Sequence, residues 1–99
     1  MYATLRKVQI HPGTAEEIAR RVEAGFVPMV RAMSGLVAFS LIDHGEMMST
    51  VTLFEERGQA EQANQQAAAW VKEQLNGLIA GPLEMNVGSV VIHAAEPTG

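Results

Sequence analysis

Leu36 to Glu55, LVAFSLIDHGEMMSTVTLFE, holds two apolar runs separated by Asp43-His44-Gly45-Glu46. The runs are rich in Val, Ile, Leu, Phe and Thr, which suit a pleated and half-buried surface. The four residues between them have the composition of a tight two-residue hairpin loop. Gly45 supplies the positive φ that such a turn requires. The stretch predicts a β-hairpin, with the flanking segments as its packing. On its first strand Leu36, Ala38, Ser40 and Ile42 alternate with Val37, Phe39 and Leu41, so both faces of the hairpin are apolar.

Upstream, Tyr2 to Ile10 reads as a strand of β-branched and long polar residues that stops at the turn signal His11-Pro12-Gly13. Thr14 and Glu17 have the spacing of a capping box, and a helix is expected to start there. Ile18, Val22, Phe26, Met29, Val30 and Met33 recur at three to four residues, with Glu16–Arg20 and Glu17–Arg21 as i, i+4 ion pairs on the other side. Pro28 is expected to kink or restart this helix, and Ser34-Gly35 to end it. Downstream, Glu56-Arg57-Gly58 breaks the strand. A second helix follows from about Gln59 to Asn76, with Gly77 at its C-terminal turn and a stripe of Ala60, Ala63, Ala67, Trp70 or Val71, and Leu75. Met85 to His93 reads as a fourth strand, with Gly88 as a bulge or point of close approach. The last residues, Ala94 to Gly99, read as a fraying tail.

The order strand, helix, strand, strand, helix, strand predicts an α+β, ferredoxin-like βαββαβ domain spanning residues 1–99. Both helices should lie on one face of a four-stranded antiparallel sheet. Two helices cover one face only, so the apolar character of the other predicts a homodimer formed through the sheet. With 47% apolar and 18% charged residues, the chain is too hydrophobic to be disordered. It has no apolar run of about eighteen residues that would span a bilayer. A net charge of -4 with scattered basic residues leaves no footprint for nucleic acid. The absence of Cys removes disulfides, thiolate metal sites and thiol catalysis. No export signal opens the chain, so a cytoplasmic protein is expected.

The segments GFVPMVRAMSGLVAFSL, across the first helix and second strand, and EERGQAEQANQQAAAW, into the second helix, resemble the dimeric α+β barrel superfamily. Within it the chain looks most like the antibiotic biosynthesis monooxygenase family, over about Tyr2 to His93. The resemblance implies a subunit that pairs through its sheet and a small hydrophobic or aromatic ligand held between sheet and helices. It also implies a cofactor-independent monooxygenase acting on a phenolic substrate. Where the quinone-forming oxygenases of that family carry an Asn and then a Trp on the third strand, this chain has Thr50 and Phe54. Where the haem degraders carry an Asn on the first strand it has Arg6, and no His lies on the second helix to ligate iron. Neither mechanism transfers residue by residue, and no cofactor or metal is expected.

The residues to test for catalysis are Arg6, Asn64 and His93, and those for substrate binding are Trp70, Phe54, Met33 and Met85. An amide at Asn64 facing a pocket could orient a phenol or carbonyl, or it could lie at the polar boundary of the helix. Trp70 is either a stacking wall or core, and the methionines are either an adaptable lining or gap filling. His11 is a candidate base, though more simply an exposed turn residue. His44 with Asp43 and Glu46 is a candidate cation site, though these residues equally suit a solvated hairpin tip. A second reading is a small-ligand-binding or stress-related barrel without turnover.

Overall fold

The structure is a computed structural model and describes residues 1–95; Glu96 to Gly99 of the expected tail lie outside the described residues. Its elements run β1 (Tyr2–Gln9), α1 (Ala15–Arg21), a π-helical turn (Val22–Phe26), α2 (Val27–Arg31), β2 (Leu36–Asp43), β3 (Met47–Phe54), α3 (Arg57–Gln74) and β4 (Glu84–Ser89). The strands form one antiparallel sheet in the order β2-β3-β1-β4. This is the ferredoxin-like arrangement expected from the element order. The β2–β3 hairpin closes where the His44 N–H donates to the Met47 carbonyl at 2.9 Å, leaving Gly45 (φ 94°) and Glu46 as the loop. Asp43 Oδ1 braces that loop by accepting from the Gly45 N–H at 2.8 Å.

Burial separates the two faces of the sheet. Thr4, Arg6 and Val8 of β1 and Met48, Thr52 and Phe54 of β3 are buried beneath the helices. Residues on the opposite face, among them Leu5 and Ile42, are half-exposed or exposed. The pairing of β2 with β3 slips between Leu36 and Ala38, a β-bulge at Val37. Plain alternation put Leu36 with Ala38. The bulge instead carries Leu36 to the side of Phe39 and Leu41, and all three pack against the core. The bulge thus lies here and not at Gly88, where the β1–β4 register runs without a break.

The first helix passes through the π-helical turn and restarts as α2 at Val27, so the restart expected of Pro28 falls one residue before it. Ile18, Val22, Phe26 and Val30 are all buried, at a spacing of four. At 3.6 residues per turn a repeat of four drifts about 40° per step around a straight α-helix. The wider π turn, in which the Val27 N–H reaches the Val22 carbonyl, takes up this drift and keeps the row on the sheet. Pro28 then falls in the first turn of α2, where its fixed φ suits the helix.

Three local expectations are corrected. Thr14 has helical backbone angles and makes no cap bond to the helix; its hydroxyl donates to the His11 carbonyl at 2.7 Å. Glu17 turns away from the cap to pair with both Arg20 and Arg21, which hold its carboxyl down at about 2, and Glu16 has no part in the pairing. The capping box belongs to α3, where Gln59 Oε1 accepts from the Glu56 N–H at 3.1 Å. β4 ends at Ser89, so Val90 to His93 lie beyond it, although the Val90 N–H still donates to the Met1 carbonyl at 2.9 Å.

The α3 cap is built against Gly35. This residue has φ 81°, and a Cβ there would strike the Gln59 side chain. Gly35→Ala therefore combines a left-handed backbone cost of about 1–2 kcal/mol with loss of the cap, about another 1 kcal/mol. Gly45→Ala carries only the first, since a Cβ at Gly45 meets nothing. Urea denaturation should show the larger fall in stability for Gly35→Ala, and equal falls would mean that the Gln59 contact is immaterial.

Candidate functional site

Arg6 is the third inward residue of β1, after Tyr2 and Thr4, and the alternation of the strand leaves it no route to solvent. It is 3% exposed. Its Nε donates to Asn64 Oδ1 at 2.9 Å, and its Nη1 to Thr50 Oγ1 at 3.1 Å and Thr52 Oγ1 at 3.2 Å. The guanidinium carbon lies 5.6 Å from the centre of the Phe26 ring, within cation–π range. Asn64 reaches Arg6 because Ala60, Ala63 and Ala67 let α3 settle closely on the sheet, all three being buried.

Two things are missing around this cation. No carboxylate among the described residues pairs with it, the ion pairs being Lys7–Glu84, Glu17 with Arg20 and Arg21, and Arg57–Glu61. Its Nη2 is buried without a hydrogen-bond partner, as is the hydroxyl of Thr4 on the same face of β1. Burial alone pushes the Arg6 pKa down to about 10, which still leaves it charged at neutral pH. A lone buried charge is costly by several kcal/mol unless something compensates it.

Beside Arg6 is a cavity of about 50 Å³, lined among others by Arg6, Thr50, Phe26, Trp70, Leu41 and Leu83. This is room for ordered water and not for an aromatic ring. Trp70 is half-buried and meets Phe26 edge-on at 5.4 Å between centroids, while Phe26 meets Phe39 at 5.3 Å. A Cβ on Gly25, in the π turn, would lie 3.3 Å from the Trp70 ring, so glycine there lets the indole sit flush. Leu41, Thr50, Trp70, Val71 and Leu83 are its partly exposed walls, and a ring needs some of them displaced.

The candidates separate accordingly. Arg6, Asn64 and Trp70 come together at this cavity or its edge. His93 is exposed beyond β4 and does not line it. Phe54 is wholly buried in the core, Met33 lines a surface groove beside Gln59, and Met85 is 39% exposed on β4. His11 is exposed, and His44 bonds Ser49 Oγ at 2.7 Å on the surface. Among the described residues no three His, Asp or Glu side chains gather to hold a metal. Sequence reasoning missed Phe26 and Thr52 as parts of the site. The signal was the polar run Thr4 and Arg6 at alternate positions of β1, facing inward where apolar residues are the rule.

No family model matches the chain, and no curated protein matches it by sequence. Solved structures do match it closely in three dimensions. A monooxygenase of Streptomyces coelicolor, ActVA-Orf6 in complex with nanaomycin D, superposes with a TM-score of 0.76 at 14% identity, covering 98% of this chain and 92% of that one. SnoaB, a cofactor-independent oxygenase from Streptomyces nogalater, gives 0.71 at 14% identity, covering 96% and 97%. A variant of MhuD with two manganese protoporphyrin IX per active site gives 0.74 at 18%, covering 97% and 100%. At these identities the likeness is one of fold: the chain shares its ferredoxin-like α+β architecture with two oxygenases and a porphyrin-binding protein.

The polar contacts of Arg6 predict an asymmetry in stability. Arg6→Met removes an uncompensated buried charge and should leave the ligand-free protein within about 1 kcal/mol of the parent, or more stable. Asn64→Leu keeps the charge and takes away its acceptor, and should cost about 2–3 kcal/mol. Denaturation midpoints in the reverse order would show that Arg6 holds the fold together.

Proposed function

We propose that the chain is a cofactor-independent monooxygenase of a small phenolic substrate, with Arg6 as the group that stabilises the substrate anion. The observation that carries this reading is a buried cation with an unsatisfied N–H group beside a cavity walled by Phe26 and Trp70. A water-excluded cation favours an ionised oxygen, and aromatic walls favour a flat ring next to it. Ionisation raises the electron density of the ring. The ring carbon then reduces dioxygen and bonds to one of its atoms, and the second oxygen leaves as water with two substrate hydrogens. Phenol and dioxygen thus balance quinone and water, with the substrate as the reductant. The protein contributes position, charge stabilisation and exclusion of bulk water.

Among the described residues the cavity lining contains no carboxylate or imidazole, so the substrate would give up its proton to solvent. That same absence favours the second reading, a ligand-binding barrel without turnover. Oxygen uptake with a panel of dihydroxy-aromatics and quinols, in metal-free buffer, separates the two. Uptake above the protein-free rate, falling about a hundred-fold in Arg6→Met, is expected of the oxygenase. Binding with no uptake across the panel would leave the second reading.

We further propose that the exposed sheet face pairs with that of a second copy. Leu5 is 50% and Ile42 40% exposed there, with Ala3, Ala38, Val51 and Leu53 as neighbours in the strand register. Light scattering should give about twice the subunit mass of 10.7 kDa. Leu5→Glu should give the monomer, and a parent protein that is already monomeric would end the proposal.

A further inference from the structure

A guanidinium has five N–H donors. In Arg6 the Nε donor goes to Asn64, and the two on Nη1 are matched by Thr50 and Thr52. Both remaining donors are on one atom, the unpartnered Nη2. A carboxylate or phosphate binds arginine through two parallel bonds from adjacent nitrogens, either Nη1 with Nη2 or Nε with Nη2. On each of these edges one nitrogen is already committed to the protein.

We propose that Arg6 is an end-on subsite for a single ionised oxygen, a phenolate or enolate, and that Thr50, Thr52 and Asn64 set its specificity by denying a carboxylate the two-pronged grip. A phenolate presents one charged oxygen at the edge of a flat ring, so it can meet Nη2 while its ring lies against Phe26 and Trp70. A carboxylate in the same place gains one guanidinium bond where a free edge would give it two. The inference rests on the reading that the cavity takes an aromatic ligand. It is independent of whether oxygen is used.

The test is anaerobic binding of three probes of similar size to the full chain: 4-nitrophenol, 4-nitrobenzoate and 4-nitroanisole. 4-Nitrophenolate absorbs at longer wavelength than its acid, so its protonation state in the complex is read directly. Bound 4-nitrophenol should be ionised at a pH where the free ligand is mostly neutral, and should bind about ten-fold or more tightly than either other probe. Arg6→Met should abolish both the spectral shift and the preference while retaining nitroanisole. Thr50→Val with Thr52→Val frees Nη1 and should raise nitrobenzoate affinity toward that of the phenol. This second variant decides the matter if Arg6→Met does not fold. Nitrobenzoate binding as well as nitrophenol to the parent protein, nitrophenol bound as the neutral acid, or no binding of any probe would overturn the subsite. Phenolate binding without oxygen uptake across the panel in air would defeat the oxygenase reading and leave the subsite standing, and uptake without the phenolate spectrum would overturn the subsite and the role given to Arg6 while leaving turnover.

Discussion

A charge placed on an inward position of a central strand constrains everything packed around it. Arg6 lies on β1, which has strands on both sides, and its side chain must remain under α3 because the backbone offers no other direction. The interior answers with neutral acceptors, one amide and two hydroxyls, and with the face of Phe26. Neutral partners soften the desolvation of a cation without cancelling its charge. A carboxylate in the same place would have made a structural ion pair and left nothing for a ligand.

The helices are shaped to this arrangement. The alanines of α3 bring its backbone close enough for Asn64 to reach Nε, and its one aromatic side chain, Trp70, lines the cavity. The first helix brings Phe26 to the same point only because its π turn holds Val22, Phe26 and Val30 in one row. Phe26 therefore joins three parts of the molecule, meeting Phe39 of β2, Trp70 of α3 and Arg6 of β1. Rings in edge or tilted contact of this kind contribute about 0.5–1.5 kcal/mol beyond the area they bury. They are also the surface against which a flat ligand would lie.

The likeness to oxygenases and to a porphyrin-binding protein is one of fold, at identities of 14–18%. One barrel can carry several chemistries, and its shape does not choose between them. The choice depends on side chains at the cavity, and here the described residues give it a cation and aromatic rings and no imidazole.

The element order, the hairpin with Gly45 at its turn, and the inward row of alanines on α3 were legible in the sequence because each rests on local periodicity or turn chemistry. So was the candidacy of Arg6, Asn64 and Trp70, although not that the first two bond to each other. Periodicity says which residues of one element share a face; it does not say what stands across from them. The slip at Val37 and the π turn each insert a residue into a regular repeat, and no local propensity marks either, since their gain lies in keeping Leu36 and Val30 on the core. The matching of Nε to Asn64 and of Nη1 to Thr50 and Thr52 joins positions 44 to 58 residues apart, and only the packed sheet and helix bring them within bonding distance. Tertiary structure alone decided that, among the described residues, Arg6 keeps one nitrogen free and faces no acid, because whether a buried charge is compensated depends on every element packed around it.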